Sequence, residues 1–449
     1  MAKRSRPFLS DLIRALTGER RTRDRDPDSP EALEQALARP PLERLLAACD
    51  VLMGHLGEAA LVAVAEEAVE AYAELDTADR VTFFRHLRDH FGADAAPIRA
   101  AYAAWAEAPD AANLAALFRT VEPRRQQLLR RLNMAAGATL ALVHMRADLL
   151  RAAKQEPDLA PLDADFVHLL TSWFNRGFLQ MRRIDWHSPA AILEKILAYE
   201  SVHPMAGWDE LRRRLDPVDR RCYAFFHPTT GNEPLIFVEV ALTRGTPGAI
   251  APLLEENQPL DPEDADTAVF YSINNSLSGL RGISFGNFLL KQVVAALSQD
   301  LPGLQHYVTL SPAPGFAKWL AAEAEQDADA ARLAEQVGER RWVHDFELQQ
   351  QLRPAVLSAA ARYFLRAKNP TGAPLDPVAR FHLGNGASAD RINWPADLAG
   401  NALDRGHGVM INYRYELGLI ETRHEDFVRD NTVTHSDELE KLLDLARRA

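Results

Sequence analysis

Ser311 follows the β-prone run His306 to Leu310 and precedes Pro312, which biases it toward extended backbone. A hydroxyl at the carboxyl end of a strand faces the crevice where open α/β sheets bind ligands, although a Ser-Pro pair also serves as an ordinary turn starter. His382, in ARFHLGNGA, stands after β-prone residues and before a glycine turn. Its imidazole, with an ordinary pKa near ~6.5, can supply a proton near neutral pH; packing is the competing role. Tyr415 closes another β-prone run, Gly408 to Tyr415, with a hydroxyl that either orients such a pair or fills a core. Gly279, Gly282 and Gly286 lie just before the helical pattern LLKQVV. Glycine lets backbone N–H groups approach an anion without a Cβ in the way, and a helix N-terminus favours negative charge; a plain tight turn uses the same residues.

The elements that must hold these groups are readable around them. Ala268 to Phe316 is a strand, glycine loop, helix, strand unit, with the helix from about Gly286. Upstream, CYAFFH and LIFVEVAL alternate with period two around the turn PTTGNEP, which predicts a β-hairpin. Downstream, Ala317 to Gln351 and Leu352 to Ala367 read as two helices, Pro370 to Pro377 as a loop leading to Phe381-His382, and the end from Ser436 as helix. Hairpins among helices imply a mixed sheet.

The N-terminal text differs. From Pro30 to about Pro157 it is Ala- and Leu-rich with helical spacing: Leu42, Leu45, Leu46, Cys49 and Met53 share one face, as do Phe83, Phe84, Leu87 and Phe91. Asp76-Thr77 opens a helix that Gly92 ends, and Pro123 opens another running through Leu142 to Leu150. His55, Glu66, Glu67, His86 and His90 read as solvated or core-edge groups, so this bundle is a scaffold or oligomerisation domain without catalysis. Phe166 to Arg182 continues helically, and Ser188-Pro189 caps AILEKILAYE. The resulting division is a leader over 1–29, an all-helical domain over 30–185 and a mixed-sheet catalytic domain over 186–449.

Composition narrows the function class. A formal charge of −12 disfavours nucleic-acid binding, which depends on neutralising phosphates. The 2 cysteines, Cys49 and Cys222, have neither disulfide-framework nor zinc spacing. No apolar run reaches the ~18 residues of a membrane helix, and the N-terminus lacks a secretory signal's apolar core. A reducing cytoplasm is expected, with no metal and no redox cofactor.

The runs GLRGISFGNFLLK, TLSPAPGF, FHLGNGA, RINWPAD and NYRYEL, with WFNRGFL, HSPAAILEKI and RRCYAFFHPTTGNEPLIFVEVALT upstream, resemble the malonyl-CoA decarboxylase family from about Glu122 nearly to the C-terminus. The resemblance implies a GNAT-like (N-acetyltransferase-like) catalytic domain and assigns Arg281, Gly282, Ile283, Ser284, Phe285, Gly286 and Asn287 to the acyl-CoA loop. Mammalian members carry Glu at the place of Ser284, so an acid role there does not transfer. It further implies Ser311 as the catalytic serine, His382 as the catalytic histidine and Tyr415 as a third polar position, in a homo-oligomer (dimer or tetramer). Asn385, Arg391 and Asn393 lie in matching motifs without an assigned role. The expected fold is therefore α+β multidomain, a helical bundle followed by a GNAT-like mixed-sheet α/β domain, and the expected reaction is malonyl-CoA to acetyl-CoA and CO₂. Which of Ser311 and His382 delivers the proton stays open. An acyl-CoA acyltransferase and a non-catalytic helical interaction protein are the alternatives.

Overall fold

The computed structural model describes residues 39–255, 258–283 and 289–445. The expected leader over 1–29, and Ser284, Phe285, Gly286 and Asn287 of the expected acyl-CoA loop, lie outside the described residues. The chain divides into two compact units, one formed by Met1–Asn175 with Pro228–Gly231 and Leu277–Ser284, the other by Arg176–His227, Asn232–Ser276 and Phe285–Ala449.

The first unit is helical. Helices Pro41–Leu52, Glu58–Glu74, Thr77–His90, Arg124–Leu132 and Ala138–Ala152 bury Leu45, Cys49, Phe83, Phe84, Leu87, Leu128, Leu132 and Leu142, the apolar stripes that the spacing predicts. Asp76 caps Thr77–His90 by accepting from the Asp79 N–H at 2.8 Å. Where one helix was expected from Pro123 to Leu150, there are two, because the chain breaks between Asn133 and Gly137 and Gly137 takes φ +74°. Glu67, expected at the core edge, is buried and ion-paired with Arg44 at 2.7 Å.

The second unit is built on an 8-stranded mixed sheet of order β1-β2-β3-β4-β5-β8-β6, with β7 also on β8. The strands are β1 Gln180–Ile184, β2 Arg220–Phe226, β3 Pro234–Thr243, β4 Thr267–Asn275, β5 His306–Thr309, β6 Ser311–Pro312, β7 Ser388–Asn393 and β8 Met410–Tyr415. The expected hairpin is β2–β3, but its strands are buried on both faces rather than with period two, and among these strands β4 and β5 pair in parallel. The expected helix to Arg182 gives way at its end to edge strand β1, which pairs along its length with β2. Ser188 does not cap Ala190–Tyr199; its hydroxyl instead accepts from the Asp185 N–H at 3.1 Å. Where two helices were expected over Ala317 to Gln351 and Leu352 to Ala367, there are three, Phe316–Glu323, Ala328–Gly338 and Phe346–Leu365, the last two opened by capping Asp327 and Asp345. Among the described residues no helix is long and apolar enough to cross a membrane.

Candidate active site

β5 and β6 are one interrupted strand lying along β8. Tyr307 and Val308 pair with Tyr415 and Arg414, Ser311 and Pro312 pair with Ile411 and Met410, and between them Leu310 N–H turns to the Phe270 carbonyl on β4 at 3.0 Å. Side chains fill the gap in the ladder. Asn412 Nδ2 donates to the Thr309 carbonyl at 2.7 Å, and the Tyr413 N–H donates to Thr309 Oγ1 at 3.1 Å. Alternation sends Val308, Leu310 and Met410 into one apolar cluster with Val269 and Tyr271. Thr309, Ser311, Tyr413 and Tyr415 therefore share the opposite face.

Helix Pro377–Gly384 lies on that face and brings His382, in its last turn, 71 residues from Ser311 in sequence, over the strands. This corrects the loop-and-strand context expected for His382. Asp376 accepts from the Ala379 N–H at 2.7 Å and from the Tyr363 hydroxyl at 2.8 Å, and Pro377 suits a first helical position. Beyond the helix, Gly386 has φ +80°, and a Cβ there would sit 2.1 Å from the Ile420 carbonyl oxygen. The glycine turn of FHLGNGA is thus a packing requirement.

The three groups expected to act together do meet. His382 Nε2 is 3.1 Å from Ser311 Oγ, and His382 Nδ1 is 2.8 Å from Tyr415 Oη. Ser311 Oγ is also 2.9 Å from Thr309 Oγ1. The imidazole stacks on the Tyr413 ring with centroids 4.7 Å apart. All these residues are buried, Ser311 at 6% exposure and Thr309 at 0%. Burial alone pushes His382 down to about 3 and holds Tyr415 well above the usual phenol range. The imidazole is therefore neutral near pH 7 and does not have the ordinary pKa near ~6.5 with which it was expected to supply a proton there. A neutral imidazole between two hydroxyls donates from one nitrogen and accepts at the other, so protons can shift along Tyr415, His382, Ser311 and Thr309.

Arg281, Gly282 and Ile283 belong to the first unit. There, buried Arg146 donates to the carbonyls of Gly279 at 2.7 Å and Arg281 at 2.9 Å while gripping Asp163. A Cβ on Gly279 would lie 1.8 Å from the Val143 carbonyl oxygen. Gly282, by contrast, has φ +77° and open space where a Cβ would be. Backbone conformation, not crowding, demands glycine at that position. The Arg281 side chain is exposed. Of the unassigned motif residues, Asn385 Nδ2 donates to the Phe381 carbonyl, Arg391 to the Thr246 carbonyl and Asn393 Nδ2 to Asn412 Oδ1. Sequence reading missed Thr309, Tyr413 and Asp376; alternation in TLS and YRY marks the first two, and the Asp-Pro pair at 376–377 marks the third.

Residues 177–449 match the family model described as malonyl-CoA decarboxylase C-terminal domain, and residues 91–174 the one described as its N-terminal domain. A goose (Anser anser anser) protein named mitochondrial malonyl-CoA decarboxylase is 36% identical over 326 residues, covering 66% of this chain and 64% of its own. The rat (Rattus norvegicus) protein of that name is 36% identical, covering 66% of each. The chain thus spans just under two thirds of these relatives. Crystal structures of malonyl-CoA decarboxylase from Rhodopseudomonas palustris (49% identity, TM-score 0.86) and Agrobacterium vitis (46%, 0.84) each cover 89% of this chain and 99% of their own.

Proposed function

The chain belongs to the malonyl-CoA decarboxylase family, and from that membership we propose that it converts malonyl-CoA to acetyl-CoA and CO₂ with Ser311, His382 and Tyr415 as its acting groups. The observation that carries the reading is the hydrogen-bonded line Ser311–His382–Tyr415, buried on one sheet face. When the bond between C2 and the carboxylate breaks, its electron pair enters the thioester carbonyl and CO₂ departs. The resulting enolate needs hydrogen-bond donors at oxygen and a proton at C2. Ser311 is the most exposed residue of the line, and in this reading it is the one that meets the substrate. Its hydroxyl protonates C2, neutral His382 supports the serine oxygen through Nε2, and Tyr415 orients the ring through Nδ1. A solvent proton then restores the serine, so one proton is consumed per CO₂ released.

Arg281, Gly282 and Ile283, with Ser284 to Asn287, form the acyl-CoA loop in this proposal, on the strength of the sequence resemblance. The reading uses no metal or redox cofactor. It places the enzyme in the cytoplasm, where free, buried Cys49 and Cys222 suit reducing conditions, and takes it as a homo-oligomer through family membership. The test is incubation of the purified chain with malonyl-CoA and no acyl acceptor. Equimolar acetyl-CoA and CO₂ are expected; free CoA with an acylated acceptor, formed only when an acceptor is added, would instead mean acyl transfer.

A further inference from the structure

Thr309 has a place at the site that neither the resemblance nor the reaction assigns. It is fully buried, and its hydroxyl oxygen is held from behind by the Tyr413 N–H at 3.1 Å, a donor that cannot turn away. In front, 2.9 Å off, lies Ser311 Oγ. Its backbone is fixed too, the carbonyl by Asn412 Nδ2, which in turn is braced by Asn393. The Thr309 oxygen is thus a fixed point two residues before Ser311 on the same sheet face, at the interruption between β5 and β6.

Proton counting shows what a hydroxyl there does. In one arrangement Tyr415 donates to Nδ1, Nε2–H donates to Ser311, and Ser311 donates to Thr309. In the other Thr309 donates to Ser311, Ser311 to Nε2, and Nδ1–H to Tyr415. Hydroxyls turn freely and imidazole has two tautomers, so the line can reverse without any heavy atom moving. The turn of the Thr309 hydroxyl alone, with Nε2 keeping its hydrogen, is what matters when Ser311 loses its proton. The serine oxygen then carries negative charge, and donors already within reach stabilise it with no rearrangement of the surroundings.

We propose that Thr309 is a positioning residue of the decarboxylation, its hydroxyl fixing the Ser311 side chain at rest and turning to donate to Ser311 Oγ as that oxygen gives up its proton. Together with Nε2–H of His382 it makes a two-donor cradle for the serine oxygen. The step balances: the O–H bond of Ser311 breaks, a C2–H bond forms on the enolate, and a solvent proton later restores the hydroxyl. This inference rests on the decarboxylase reading for its kinetic consequence, but not for its effect on the imidazole.

The experiment compares wild type, Thr309→Val and Thr309→Ser, with Thr309→Ala as the second hydroxyl-free variant should the valine protein fail to fold. Removing the hydroxyl should lower kcat for malonyl-CoA by roughly 10²-fold, the scale of a misplaced reacting group, with KM within about threefold. Thr309→Ser should recover most of the loss. Ring ¹⁵N NMR of His382 reads the tautomers without turnover, and their populations should move in the hydroxyl-free variant and return in the serine variant. Wild-type kcat without the hydroxyl, or serine as impaired as valine, overturns the proposal. If the wild type does not decarboxylate malonyl-CoA, the functional reading fails, and the ring-nitrogen pattern still decides: unchanged tautomers overturn the cradle, shifted ones support it.

Discussion

The proposed chemistry turns on keeping one imidazole uncharged. His382 touches Ser311, Tyr415 and the face of Tyr413, and burial alone sets its protonation. A neutral ring cannot act as a standing acid, which is why the proposed reaction takes the serine hydroxyl as the proton donor and asks for donors around its oxygen. The pH dependence follows. With His382 pushed to about 3, lowering the pH from 8 to about 5 leaves the ring of the free protein neutral, so this residue imposes no acid limb on kcat/KM there. A level profile over that range is the expected result. A limb near the ordinary ~6.5 that disappears in a His382→Gln variant with residual activity would show that the ring is protonated at rest. At this scale the sequence was legible only through resemblance. Nothing local joins Ser311 to His382 across 71 positions, and taken singly each suits a turn or a core.

Elements turn those residues into a site, and some announced themselves while others did not. The β2–β3 hairpin was plain because CYAFFH and LIFVEVAL are near-continuous apolar runs about a polar turn, buried along almost their whole length. β1 and β7 were not, since QMRRI and SADRIN carry too little apolar pattern and exist as strands because β2 and β8 pair with their backbones. The helix bearing His382 is short, and its capping Asp376 was overlooked in favour of the apolar residues after it. The glycines of GLRGISFG were legible as glycines but not in their reasons. Gly279 admits helix Ala138–Ala152, whereas Gly282 supplies a left-handed backbone. The two therefore fail differently. Gly279→Ala, driven against the Val143 carbonyl, should cost about 1–3 kcal/mol, as overpacking does. Gly282→Asn should cost less, because asparagine tolerates the left-handed region. Urea midpoints measure both, and a Gly279→Ala protein as stable as the wild type would contradict the close packing.

Over the whole molecule, buried titratable groups give stability its pH slope. His382, at about 3, and His203, lowered to about 4 by burial and then Arg214, stay neutral in the folded chain. The unfolded chain protonates both below ~6.5, so their contribution is lost as pH falls from there toward 4. Glu239, pushed up to about 7 by burial and then by Glu200, works in the opposite sense. The folded state holds its proton while the unfolded chain releases it above about 4.5, so that contribution fades as pH rises from 4.5 to 7. The two histidines outweigh the one carboxyl between pH 4.5 and 6.5, and acid should therefore destabilise the protein there. His382→Gln should flatten the slope by about 1.4 kcal/mol per pH unit, read from urea unfolding at pH 5 and 6; an unaltered slope would mean that the ring charges in the folded state. The central claim, that Ser311 and His382 act as one unit in decarboxylation, is tested most directly by turnover of malonyl-CoA without acceptor in Ser311→Ala, His382→Asn and the double variant. Each single change should lower kcat by roughly 10²–10⁴-fold with KM little altered, and the double variant should be scarcely worse than the poorer single one. Near-normal turnover in either folded single variant, or losses that multiply in the double, would contradict it.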